Sequence, residues 1–219
     1  MNFRHQLGKS SAFSRLELVI VILILAVLVV LLIPAFSNAR AKAQRIRCAS
    51  HLKGIGISMK VWANDHGDKF PMRASTNTRG SLDFAETGQV FRHFQAASNE
   101  TYSTETLTCP SDSRRRARDW PTLNNSNVSY FIGLDADETS PQFLLAGDRH
   151  LDGTPPKARN LLLSTTNTSL TWGPELHGGM MVGNVGLSDG SAHQLAGPGL
   201  TRYLLIGVTN AFTNRLEFP

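Results

Sequence analysis

Apolar residues are spread unevenly along this 219-residue chain, and their pattern divides it into regions of different texture. Residues 18–33 are only Leu, Ile, Val and Ala. No polar position interrupts them, and with Ala35 and Phe36 the run approaches the roughly 20 residues that cross a bilayer as a helix. Over residues 38–65 the pattern becomes periodic. Leu52, Ile55, Met59 and Trp62 recur three and four apart in an Ala- and Lys/Arg-rich stretch without proline, which predicts an amphipathic helix with one buried stripe. Gly54 and Gly56 each weaken that helix by about 1 kcal/mol against Ala, so a bend or a close approach is expected there. The wording Asp65-His66-Gly67-Asp68-Lys69-Phe70-Pro71 ends it, with Gly67 and Pro71 as stop signals. Two aspartates beside a glycine are too few oxygen donors for a calcium loop, and a turn is expected.

Beyond residue 128 the period changes to that of strands. Short β-like runs occupy 128–133, 142–146, 161–163, 169–172, 180–187 and 203–208, separated by turn wording at 135–137, 152–156 and 188–190. No helices alternate with these runs, which excludes a parallel α/β sheet. The expectation is an α+β body in which an antiparallel sheet lays one face on the amphipathic half of the long helix. Between helix and sheet, residues 73–80 read as a loop and 88–97 as a short helix.

One charge is out of place. Glu17 stands at the head of the aliphatic run, where an unpaired carboxylate is costly in lipid, about 2.5 to 3.5 kcal/mol at a helix centre. A carboxylate in that position needs a cationic partner. Before it lies a short basic leader with Arg4, His5 and Lys9, ending in Ser10, Ser11 and Ala12.

These residues resemble the leader of type IV pilins and of type II secretion pseudopilins. In that family a peptidase cuts before a Phe, methylates the new amino terminus and leaves Glu as the fifth mature residue. Phe13 and Glu17 stand at those places, and Pro34 falls where the family carries Pro as the twenty-second. Ala12 replaces the usual Gly before the cut, and Ser14-Arg15 the usual Thr-Leu. The resemblance implies cleavage between Ala12 and Phe13, N-methylation of Phe13, and assembly through Glu17 and Pro34. The other readings of this stretch are a removed signal peptide, which would show a shorter apolar core before its cleavage site, and a plain membrane anchor. Arg40, Lys42, Arg45 and Arg47 follow the span, so a bare count of basic residues would not place that end outside; the leader resemblance sets the orientation.

A narrower resemblance rests on Cys48-Ala49-Ser50-His51-Leu52-Lys53, on Asp65 to Pro71, on Cys109-Pro110-Ser111-Asp112 and on His177 to Gly190. It is to a subgroup of pseudopilin-like proteins with a carboxy-terminal His, nine residues, then Asp-Gly. In this chain eleven residues separate His177 from Asp189-Gly190, two more than in that pattern, an excess expected to lengthen a hairpin.

Composition adds limits. The net charge is +5, and much of the excess lies in residues 40–47 and 114–118, a local asymmetry. The run Arg114-Arg115-Arg116-Ala117-Arg118 can grip phosphates or can be a solvated loop; without interleaved aromatics or a recognition helix, nucleic acid is not expected as a partner. Cys48 and Cys109 can pair in an oxidising compartment or remain two buried thiols. No four-ligand zinc spacing is present. His177, Asp189 and His193 are acid-base types, yet no nucleophile elbow, His-Glu-x-x-His or phosphate loop accompanies them.

The sequence is therefore expected to encode a leader (1–12), a membrane and assembly helix (13–36), its amphipathic extension (37–66) and a periplasmic α+β domain (67–219). The expected role is a non-enzymatic subunit of a pseudopilus or pilus-like assembly in the bacterial inner membrane. Its expected partners are a prepilin peptidase and pilin-like subunits, with no cofactor and no metal. The rival roles are a DNA-binding minor pilin and a tethered enzyme using His177 and Asp189.

Overall fold

Residues 15–65 form one helix, α1 (Arg15–Asp65), which runs through Pro34. A computed structural model describes residues 14–101, 103–152, 160–163, 170–197, 199–200, 203 and 214–219. The chain divides into two compact units, Met1–Arg40 and Ala41–Pro219. In the first, α1 is long and apolar enough to cross a membrane: its most apolar window has a mean hydropathy of 3.5 and no residue of it is buried. Leu, Ile and Val side chains from Leu16 to Ile33 all stand exposed.

In the second unit the same helix turns amphipathic. Cys48, Leu52, Ile55, Met59, Trp62 and Ala63 are buried, while Ile57 and Val61 face outward. Burial of each large apolar side chain contributes about 1.5–3 kcal/mol, so this stripe holds the helix far more strongly than helix propensity does. The helix ends as its wording predicts: the Asp68 N–H reaches back to the Ala63 carbonyl at 2.9 Å and Gly67 takes φ 70°. Trp62 stacks on His66 with ring centroids 3.7 Å apart.

A series of short 3-10 turns leads to the helix α2 (Val90–Ala96). The strands are β1 (Tyr130–Gly133), β2 (Leu144–Asp148), β3 (Leu151–Asp152), β4 (Asn160–Leu163), β5 (Thr171–Trp172), β6 (Val182–Leu187), β7 (Ala192–Ala196) and β8 (Asn214–Glu217). Six of them pair in the order β4-β8-β1-β2-β6-β7, and β3 pairs with β5. Every pairing is antiparallel. The architecture is α+β, a long amino-terminal helix and a carboxy-terminal antiparallel sheet.

Alternation along β1 sets the layers. Tyr130 and Ile132 join the core that contains the buried stripe of α1, with Phe70, Val90, Phe94 and Leu107. Phe131 points into a second core with Trp172, Val185, Leu195 and Leu216. The sheet is thus covered on both faces, which is why its strands read as apolar runs and not as a clean apolar-polar alternation.

Several expectations shift. The strand 142–146 begins two residues later, at Leu144, and extends to Asp148. Strands β3, β7 and β8 lie outside the expected runs; β3 is only two residues and ends at Asp152, where a turn was expected, β7 alternates weakly, and β8 is short and carries Arg215 and Glu217. The stretch 203–208, apart from Tyr203, and the turn at 153–156 lie outside the described residues, as do Ala12 and Phe13.

Candidate functional site

Two cysteines far apart in sequence, one on the buried stripe of α1 and one in the loop after the 3-10 turn Thr104–Leu107, meet as the disulfide Cys48–Cys109. It ties the helix to the sheet-bearing part of the second unit. Beside it lies His177, in the 3-10 turn His177–Gly179, with one imidazole nitrogen and both sulfurs within 4.8 Å of one another. His177 is buried and adopts the left-handed conformation, φ 55°. That backbone state is uncommon for a residue with a side chain, and packing and hydrogen bonds hold it.

The residue that holds it is Asp148, at the end of β2. Asp148 Oδ2 lies 2.7 Å from His177 Nε2 and accepts from the Asn184 backbone N–H at 2.7 Å and from Asn184 Nδ2 at 2.9 Å. On the other side of the ring, His177 Nδ1 is 3.3 Å from Ser111 Oγ, two residues beyond Cys109. In the neutral ring, Nε2–H donates to the carboxylate and Nδ1 accepts from the serine hydroxyl. The carboxylate, the imidazole and Asn184 are all buried, and Asp148 Oδ1 and Asn184 Oδ1 have no partner among the described residues.

Around this centre the electrostatics are asymmetric. Tyr130, paired across from Asp148 in the β1–β2 register, has its phenol pushed well above its ordinary value by burial and then by the Asp148 and Asp112 carboxylates, so it stays protonated. Burial raises Asp112, but the hydrogen bonds and charge of Arg149 outweigh it and leave the carboxyl below the usual range. Arg149 binds both oxygens of Asp112, at 2.9 and 3.1 Å, and reaches Glu175 at 2.9 Å. His150, against Trp172, is held below its ordinary value chiefly by burial.

A second buried polar set lies elsewhere. Ser81 Oγ is 2.8 Å from His93 Nδ1, and His93 Nε2 is 3.0 Å from Glu217 Oε2. Glu217 Oε1 also accepts from the Gly88 N–H. The residue types are those of a hydrolytic triad. All three are buried, at 1%, 0% and 0% exposure, and the set links β8 to α2. The sequence reading missed it because its bonded partners lie up to 129 residues apart, with no local motif to mark them.

The singled-out residues fall as follows. Glu17 is exposed in the first turn of α1. Pro34 lies within that helix. His177 and Asp189 do not form a pair: His177 binds Asp148, and Asp189 sits in the β6–β7 turn, accepting from the Ser191 N–H at 2.7 Å. Gly190 takes φ 84° in that turn. His193 bonds Ser191 Oγ and Tyr203 OH. The carboxylate that bonds His177 is thus Asp148, which the Asp-Gly wording could not indicate. The arginine run is split as well. Arg114 turns inward onto the carbonyls of Asn125, Val128 and Pro219, Arg116 pairs with Glu105, and Arg115 and Arg118 are exposed. No protein-family model, curated protein or solved structure matches the chain.

Proposed function

We propose that the chain is a non-enzymatic, pilin-like subunit of a pseudopilus or pilus-like assembly, processed between Ala12 and Phe13 and held in the bacterial inner membrane by its apolar helix. The observation that carries this reading is Glu17. It is the sole ionisable residue between Arg15 and Arg40, and it is exposed on a helix whose apolar side chains are exposed too. Arg15 cannot neutralise it, because residues two apart on a helix do not face each other. On this reading its partner is the methylated, cationic amino terminus of Phe13 in a neighbouring subunit. A pair buried in this way fixes the axial register of the two helices, and loss of one partner costs about 3–5 kcal/mol.

The rest of the chain fits a carried domain. The second unit supplies an α+β body locked by a disulfide and two buried polar sets, with His177 enclosed. The test has two arms. Mass spectrometry of the mature protein, in cells with the processing peptidase, should show methyl-Phe13 as the first residue. Glu17→Ala should insert and be cleaved as wild type but fail to enter assemblies; a retained leader or normal incorporation of the variant overturns the reading.

A further inference from the structure

We propose that the Cys48–Cys109 corner is also a metal site: in the reduced chain Cys48 Sγ, Cys109 Sγ and His177 Nδ1 bind one soft divalent cation of the zinc class. The disulfide and the metal are then alternative closures of the same corner. The argument starts from what a disulfide does not need. A disulfide is satisfied by apolar packing, yet this one has a buried histidine beside it, with a ring nitrogen and both sulfurs mutually within 4.8 Å.

That histidine is oriented as metal ligands are. Its far nitrogen, Nε2, is fixed by a buried carboxylate, Asp148, at 2.7 Å, and the carboxylate is fixed in turn by two bonds from Asn184. Carboxylate-histidine pairs of this form set the tautomer and raise the basicity of the ligating nitrogen. The nitrogen left for a cation is Nδ1, on the Ser111 and Cys109 side. The φ of 55° at His177 is a second departure from relaxed packing, of the kind that gathers at ligand clamps.

The coordination chemistry is consistent. Zinc bonds of about 2.3 Å to sulfur and 2.0–2.1 Å to nitrogen in a tetrahedral site place donor atoms roughly 3.5–3.8 Å apart. Three donors already within 4.8 Å reach this with side-chain rotation once the sulfurs are unlinked, and the Cα atoms of the two cysteines are 5.1 Å apart. Two thiolates and an imidazole select zinc over magnesium or calcium. In the redox step a dithiol donor delivers two electrons and two protons to the disulfide, which becomes two thiols, while the donor becomes a disulfide. Cation binding then releases one proton from each thiol.

The experiment uses the full chain in detergent micelles, reduced with a phosphine that is removed before titration with Co2+ alone. The reduced wild type should bind one Co2+ with thiolate-to-cobalt charge-transfer absorption, and Zn2+ should displace it. X-ray absorption should find two sulfurs and one imidazole nitrogen on the cobalt. The oxidised chain should show none of this. His177→Gln should weaken binding at least tenfold, and Asp148→Asn about 10- to 100-fold. Cobalt bound without charge-transfer bands, or bound equally by the Cys48→Ser/Cys109→Ser variant, overturns the proposal. Because the spectra are read on the wild-type chain, a variant that fails to fold does not obscure the outcome. The result is independent of the amino-terminal processing that tests the assembly reading.

Discussion

Gly56 of α1 and Gly190 of the β6–β7 turn meet backbone to backbone: a Cβ added to Gly56 would stand 3.0 Å from the Gly190 Cα and 3.4 Å from its carbonyl oxygen. The helix can lie this close to the turn because Gly56 carries no side chain. At Gly54 an added Cβ would meet only the Thr106 Cγ2, at 3.6 Å, an ordinary contact. The two glycines of the helix should therefore respond oppositely. Gly54→Ala gains helix propensity and should stabilise the second unit by up to about 1 kcal/mol. Gly56→Ala gains the same propensity but incurs an overpacking cost of about 1–3 kcal/mol against backbone that cannot rotate away. Thermal unfolding of the two variants in parallel decides it, and a higher melting temperature for Gly56→Ala would refute the close-approach argument.

The coupling of His177 to Asp148 makes a second prediction. Asp148 Oδ2 accepts three bonds inside the protein, so Asp148→Ala should cost about 3 kcal/mol or more by leaving buried donors unpaired. A double-mutant cycle of His177→Ala with Asp148→Asn should give a coupling above about 1 kcal/mol, whereas His177→Ala with Asp189→Asn should be additive within about 0.5 kcal/mol. Denaturant titration of the three single and two double variants reads both. Equal coupling to the two aspartates would mean that the His177–Asp148 geometry is wrong.

Arg149 and Asp112 predict a pH dependence. The folded carboxyl of Asp112 lies below its ordinary value. A depressed carboxylate contributes stability that is present above the unfolded pKa, near 4, and is lost as pH falls through the folded value. Arg149→Met should thus be less stable than wild type by about 3 kcal/mol at pH 7. That deficit should shrink below about pH 4, where Asp112 protonates in the unfolded chain and then in the folded one. Urea unfolding at pH 7 and pH 3 measures the difference, and a pH-independent deficit would contradict the assignment.

The arginine run separates into structural and surface members. Arg114 bonds three backbone carbonyls, and Arg114→Ala should lower stability by about 2–3 kcal/mol, since a hydrogen bond with a charged partner is worth about 1.5–3 kcal/mol net and water can reach part of this half-buried set. Arg118, exposed, should tolerate alanine within about 0.5 kcal/mol. Circular dichroism melts of the two variants make the comparison directly.

Glu217 anchors β8, which lies between β4 and β1, through His93 and the Gly88 N–H. Glu217→Ala should expose an unpaired buried histidine and loosen β8, at a cost of about 3–5 kcal/mol. Hydrogen exchange should then rise first at the β8 partners in β1, such as Ile132 and Gly133. Unchanged protection there would show that the Ser81–His93–Glu217 set does not hold the strand.

Local physics was enough for the long helix, its apolar and amphipathic halves, its stop at Gly67 and most of the strands, because each depends on a period or a turn residue visible within a few positions. The stripe Leu52, Ile55, Met59 and Trp62 is buried as its spacing requires. The Asp189-Gly190 turn lies between β6 and β7 as its wording requires. Short strands whose residues do not alternate, such as β8, carried no such mark.

What the sequence determined by itself is the division of the chain: an aliphatic run bearing one carboxylate, an amphipathic continuation, and an α+β body. What only the tertiary structure decided is which polar groups meet. His177 finds Asp148 and not Asp189, Cys48 finds Cys109, and His93 finds Ser81 and Glu217. These contacts are fixed by sheet order and by helix-to-sheet packing. A buried polar group must be paired wherever the fold carries it, and the choice of partner is made across distances that no local pattern encodes.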